Sequence, residues 1–189
     1  PLSITAEVGQ YLPDWRPGQD YRTGISGRKE LGGGVLLELS HELDYVQWLM
    51  GDIASVSATL ATVSDLEIDV EDTADLVIEF KNGVLGRVHL DMVRRLNTRK
   101  CVVTGSAGTV EWDGISSTAK IYLKKVGKWR SIFSRRTDPN EMYLAELKHF
   151  LACVANKEEV IADGISGKRV LELILAARES SETGNIVVL

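Results

Sequence analysis

The chain is poor in the parts from which most catalytic motifs are built. It has three histidines and two cysteines. Neither cysteine has CxxC or metal-ligand spacing. Cys101 in "KCVVTG" and Cys153 in "FLACVA" lie among apolar residues, which predicts buried free thiols and no disulfide. There is no GxGxxG, no P-loop and no GxSxG elbow, so neither a nucleotide fingerprint nor a hydrolase nucleophile is present. "HELDY" begins like the zinc-protease HExxH but carries Tyr45 where the second histidine must stand, and no metal site is expected. No apolar run approaches the roughly 18 residues that span a bilayer, and "PLSITAEVGQ" lacks the basic and apolar regions of a signal peptide. A soluble, cytoplasmic protein without a membrane partner is the expectation. A net charge of −5 argues against a broad nucleic-acid surface.

What is present is enough for a core: 44% of the residues are hydrophobic. "SITAEVGQYL" reads as a strand, and residues 13–34, crowded with glycine, proline and charge, read as a long irregular loop of the kind that often carries function. Leu36, Leu39, Leu43, Val46 and Met50 form the stripe of one amphipathic helix ended by Gly51. "DIASVSATLATV" is strand-like. Ala74, Leu76, Ile78 and Phe80 alternate with polar residues, and Asn82-Gly83 leads into Val84, Gly86, Val88, Leu90 and Met92, which predicts a hairpin with a type I′ turn. "KCVVTG" and "GTVEWD" form a second hairpin across Ser106-Ala107, and "AKIYLKK" adds a strand. Asp138-Pro139-Asn140-Glu141 opens a helix whose buried stripe is Leu144, Leu147, Leu151 and Val154. Another helix runs from about Ser166 to Thr183, followed by a terminal strand "IVVL". The expected fold class is α+β, a mostly antiparallel open-faced sheet with helices packed on one face.

Opposite the stripe of the first helix stand Glu38, His41, Asp44, Tyr45 and Trp48. A solvated face explains charges there. Aromatic residues one turn from a histidine suit a pocket instead, and Asp44 could hold the His41 ring for general acid–base work. "GRKELGGG" either admits an anion to the helix start or packs backbone closely. His89 alternates with Arg87 and Asp91 on a polar strand face, and His149 reads as a surface residue. Lys124, Lys125, Lys128, Arg130, Arg135 and Arg136 surround Trp129, as in a nucleic-acid surface or a solvated loop; the acidic remainder favours the loop, with no nucleic-acid partner.

The series "GQYLPDWRPGQDYR", "GGGVLLELSHELDYVQWLMG", "EDTADLVIEFKNGVLGRVHLD", "GSAGTVEWD", "HFLACV" and "ADGISGKRVLELILAARESSETGNIVVL" resembles the C-terminal domain of the glucose–fructose oxidoreductase, inositol dehydrogenase and rhizopine-catabolism (Gfo/Idh/MocA) family, over essentially the whole chain. The resemblance implies a fold like the C-terminal domains of dihydrodipicolinate reductase and glyceraldehyde-3-phosphate dehydrogenase. It makes residues 1–189 a substrate-binding and oligomerisation domain, with an N-terminal Rossmann domain outside this chain. It implies an enzyme that uses NAD or NADP on a sugar, sugar derivative or cyclitol, is inactive as this fragment, and is a homodimer or tetramer through the open sheet face. It implies catalytic roles for His41, Glu38 and Asp44, and substrate contacts from Trp15, Arg16, Asp20, Tyr21, Arg22 and Tyr45. Here the chain departs from the family pattern: many members place an Asp four residues before the histidine, whereas Leu37 stands there and Glu38 lies three before. The competing class is a non-catalytic module, dimerising through its sheet or binding an anion.

Overall fold

The computed structural model describes residues 1–135, 138 and 140–189. The sequence elements assemble into one sheet of strands β1 (Ser3–Gly9), β2 (Ile53–Ala61), β3 (Thr73–Phe80), β4 (Leu85–Asp91), β5 (Thr98–Gly105), β6 (Gly108–Asp113), β7 (Thr118–Leu123), β8 (Trp129–Ser134) and β9 (Val187–Val188). Their spatial order is β8-β7-β6-β5-β1-β4-β3-β2-β9. The strict alternation in β3 and β4 becomes alternate burial, with Leu76, Ile78, Phe80, Val88 and Leu90 turned inward. Each such side chain contributes about 1.5–3 kcal/mol by leaving water. All pairings described are antiparallel except β1 with β4, which run parallel, so the sheet is mixed at its centre.

Helices α1 (Val35–Glu38), α2 (Ser40–Met50) and α4 (Gly164–Thr183) cover one face. Leu36, Leu39, Leu43, Val46 and Met50 are all buried there, as their spacing predicts. The single helix expected from that stripe is interrupted, however. Glu38 N–H and Leu39 N–H bond four residues back, to Gly34 and Val35, but Glu42 N–H bonds only three back, to Leu39. The backbone leaves helical geometry at Leu39 (φ −108°, ψ 22°) and restarts as α2. Asp163 caps α4 by accepting from Ser166 N–H at 2.8 Å. Ser180 then ties that helix to β2 by accepting from Ala58 N–H at 3.0 Å.

Several local expectations are corrected. The β3–β4 turn is not type I′, which needs positive φ at both central residues. Here Gly83 is positive (φ +82°) and Asn82 is not. The Asn82 side chain is committed elsewhere: its amide donates to the Met50 carbonyl at 2.8 Å and its oxygen accepts from Val84 N–H at 3.1 Å, fastening the hairpin to the end of α2. The basic segment read as a loop contributes β8, paired with β7, and Trp129 packs on Tyr122 with ring centroids 5.7 Å apart. Arg136 and the helix-opening Pro139 lie outside the described residues. Helix α3 (Asn140–Val154) forms where expected, but it buries none of its residues: Leu144, Leu147, Leu151 and Val154 are all exposed, because no described element packs on that stripe. Cys101 is buried and its thiol is pushed up to about 11 by burial, whereas Cys153 is only partly covered. His149 is likewise half-covered, its Nδ1 2.8 Å from Glu158. Among the described residues no helix is long and apolar enough to cross a membrane.

Candidate active site

The long loop 10–34 is a run of 3-10 turns that brings the chain to the glycine triplet. At Gly33 a Cβ would overlap the carbonyls of Ile25 and Ser26, and at Gly34 (φ +113°) it would overlap the Glu71 carboxylate. Both positions therefore need glycine for close approach. The neighbours are carbonyls and a carboxylate, which repel a phosphate. Of the two readings of this triplet, backbone packing is the one the geometry supports.

At the start of α2 the side chains diverge. The His41 side chain is 46% exposed, while that of the next residue, Glu42, is fully buried. Glu42 Oε1 lies 2.6 Å from Arg99 Nε, reached across from β5, and 3.2 Å from His41 Nε2. Arg99 in turn lies over the Trp112 ring at 5.4 Å, and Trp112 meets Tyr45 edge-on at 6.0 Å. Glu42 Oε2 and the Tyr45 hydroxyl are buried without a hydrogen-bond partner. Burial, reinforced by the Glu42 charge, holds the Tyr45 hydroxyl well above the usual phenol range, so it stays protonated.

The remaining expected residues fall into two groups. Arg16 and Glu38 are joined through the buried Ser26: Arg16 donates to Ser26 Oγ at 3.2 Å, and Ser26 Oγ donates to Glu38 at 2.9 Å. Trp15 donates its indole N–H to the Gln10 carbonyl at 3.0 Å, and with Arg16, Asp20, Tyr21 and Ser26 it borders a small hollow. Asp20 and Arg22, by contrast, pair with each other at 2.8 Å, and Arg22 also reaches Glu67 at 3.0 Å. The Arg22 hydrogen bonds hold the Asp20 carboxyl below its usual range. Asp44 is exposed and forms no described ion pair with His41. It faces a separate cavity of about 430 Å³ with Gln47, Trp48, Asp52 and Arg169. Tyr45 and Trp48 border an apolar groove of about 780 Å³ with Trp112, Ile121 and Leu123.

A family model described as "Oxidoreductase family, C-terminal alpha/beta domain" matches residues 10–189. The chain belongs to that family. D-glucoside 3-dehydrogenase of Escherichia coli (strain K12) is 27% identical over 184 residues, 88% of this chain and 52% of that protein. Levoglucosan dehydrogenase in complex with NADH superposes with a TM-score of 0.87 at 18% identity, over 99% of this chain and 58% of that one. Aldose-aldose oxidoreductase from Caulobacter crescentus complexed with glycerol gives 0.83 at 22% identity, over 100% and 55%. These superpositions establish the fold. The chain spans about half the length of these relatives.

In this oxidoreductase domain, three residues of the site are not apparent from the motif pattern: Glu42, Arg99 and Ser26. Glu42 left a faint signal. On a helical wheel it lies about 40° from Val46, at the edge of the buried sector, and an acid there needs a partner. Arg99 and Ser26 left none, because their roles depend on which strand and which turn face the helix.

Proposed function

We propose that this chain is the substrate-binding half of an oxidoreductase that moves hydride between NAD or NADP and a hydroxyl or keto carbon of a sugar, sugar derivative or cyclitol. In this reading His41 exchanges the proton of that oxygen. The observation that carries it is the half-exposed His41 imidazole standing 3.2 Å from a fully buried carboxylate. A carbinol that gives up hydride must also lose its hydroxyl proton, and the reverse reaction must return it, so one positioned group serves as base and acid.

The nicotinamide supplies the hydride acceptor or donor. Gly33 and Gly34 of the triplet are backed by the carbonyls of Ile25 and Ser26 and by the Glu71 carboxylate, a poor cradle for dinucleotide phosphates. Their place is a Rossmann domain elsewhere in the whole protein, and the chain alone is inactive. Arg16, fixed through Ser26 and Glu38, offers a guanidinium to substrate hydroxyls, and Tyr21 and the Trp15 ring border the same hollow. Glu38 thus acts on the site through Ser26 and Arg16. Self-association uses the sheet face that the helices leave open, where Arg87 and His89 stand.

The test uses the full-length protein with NAD or NADP and a panel of D-glucose, a methyl D-glucoside, myo-inositol and a UDP-linked hexose. Cofactor reduction by the wild type, lost in His41→Ala with NADH affinity retained, supports the proposal. Undiminished hydride transfer in His41→Ala overturns it.

A further inference from the structure

We infer that Glu42, fixed by Arg99, is the positioning residue for His41, the carboxylate that sets the orientation of its imidazole. The inference rests on His41 being the proton-transfer group proposed above.

Glutamate is almost never fully buried without strong compensation. Glu42 is 0% exposed, yet its compensation is one-sided. Arg99 approaches through Nε to Oε1 alone; Oε2 makes no close hydrogen bond, with the Tyr45 hydroxyl also facing the carboxylate. A carboxylate that served stability alone would be expected to satisfy both oxygens or to give way to an apolar residue, since a half-satisfied buried ion costs about as much as its pairing returns. What Glu42 does provide is a fixed anion beside the histidine.

The fixing runs outward from the sheet. Arg99 on β5 is held over Trp112 at 5.4 Å and grips Glu42 Oε1 at 2.6 Å; the same oxygen lies 3.2 Å from His41 Nε2. The contact is one of ion-pair distance, and in the proposed role it holds the ring by its Nε2 side, with Nδ1 as the nitrogen that would exchange the proton. A base whose far nitrogen is oriented by a buried acid is a recurrent way of fixing a proton-transfer imidazole. The other acids on the helix are committed elsewhere. Glu38 accepts from Ser26, and Asp44 faces the cavity beside Trp48.

The experiment is a double-mutant cycle in the full-length protein with D-glucose and a methyl D-glucoside as probes, joined to a ring spectrum that needs no turnover. Glu42→Gln is expected to lower kcat roughly ten- to a hundredfold with KM within about threefold. Glu42→Asp, which keeps the charge, is expected to recover much of that loss. His41→Ala/Glu42→Gln is expected to be no slower than His41→Ala, within about twofold, because Glu42 acts through the ring. In the imidazole ¹⁵N spectrum Glu42→Gln should move the His41 resonances and leave those of His89 and His149 in place. Should Glu42→Gln fold poorly, Glu42→Gln/Arg99→Gln removes both charges and should show the same kcat loss. Multiplying losses in the cycle, or unmoved His41 resonances in Glu42→Gln, overturn this inference and leave the hydride-transfer reading standing. Full turnover in His41→Ala removes both.

Discussion

Two histidines of this chain stand beside a buried carboxylate that is also held by an arginine, and they are built for opposite ends. His89, on the open sheet face, has Nδ1 2.8 Å from Asp75 and Nε2 3.1 Å from Asp91, and Asp91 is gripped by Arg94 Nε at 3.0 Å. The hydrogen bond to Asp91, aided by Asp75 and opposed by partial burial, pushes the ring up to about 9. Near neutral pH it is a cation with both nitrogens occupied and no lone pair to offer. His41 has one nitrogen near Glu42 and the rest of a half-exposed ring open. In the role proposed for His41, what separates it from the structural ion at His89 is the free nitrogen, since a buried carboxylate and an arginine stand in both places.

The largest effect that could break this comparison is at His41. If His41 has the proposed role, His41→Ala in the full-length protein should lower kcat about a hundredfold or more. The thermal midpoint should hardly move, because the removed ring is half-exposed and alanine is the better helix former. His89→Ala should do the reverse, leaving kcat near normal while lowering the midpoint. Single-turnover hydride transfer and thermal unfolding on both variants check this. Equal kcat losses would mean that the two rings are not functionally different.

How much of this could be read in advance follows from whether one element suffices to specify it. The alternation of β3 and β4 states which side chains turn inward, and their burial follows it except at Asp91, which falls on the polar face by alternation and is 2% exposed. The extent of α4 is also local: it ends at Thr183 as expected and starts within two residues of the expected Ser166. The stripe of α3 is just as regular as that of α2, yet it is exposed, since periodicity says that a face is apolar and not what lies against it. The site divides in the same way. Local pattern and family resemblance single out His41 and the loop residue Arg16 as members of the proposed site. The acid beside His41 was expected to be Asp44 and is Glu42, because the break at Leu39 and the reach of Arg99 from β5 are set by tertiary packing.

Next in size is Asp91→Asn. The Asp91 carboxylate is buried and accepts from the backbone N–H groups of Val93 and Arg94 while facing His89 and Arg94. Burial pushes its carboxyl up, but hydrogen bonds from His89 and from those N–H groups more than offset this and leave it below the usual range. Removing the charge leaves two cations without their shared anion and should cost about 2–4 kcal/mol in denaturant unfolding. A cost below about 0.5 kcal/mol would show the network to be idle.

The pH dependence of stability is smaller and has a definite sign. His89 is raised in the folded state, from 6.5 to about 9, so its contribution is complete below the unfolded value and is lost as pH rises through about 9. Unfolding free energy should fall by about 2 kcal/mol between pH 6.5 and 9.5, once screening of a partly exposed pair is allowed for. His89→Gln should flatten that slope. A slope that survives in His89→Gln would place the titrating group elsewhere.

The smallest effect sharpens the comparison most finely. Asp75 touches the same ring as Asp91, at the shorter distance of 2.8 Å, but its side chain is 66% exposed against 3% for Asp91. Distance alone would rank Asp75 as the stronger partner. Solvent reverses that order, because water screens an exposed pair and rehydrates whichever charge is left, whereas a buried charge left alone has no such recourse. Asp75→Asn should therefore change stability by less than about 0.5 kcal/mol, and raising salt to about 1 M should shrink even that. Its asparagine oxygen can still accept from His89 Nδ1, so the ring keeps its place and the upper end of the pH slope moves only slightly down. Denaturant unfolding of Asp75→Asn and Asp91→Asn at low and high salt makes the comparison. If the two variants cost the same, burial is not what gives the His89 clamp its strength, and the distinction drawn between the two histidines would have to rest on the free nitrogen alone.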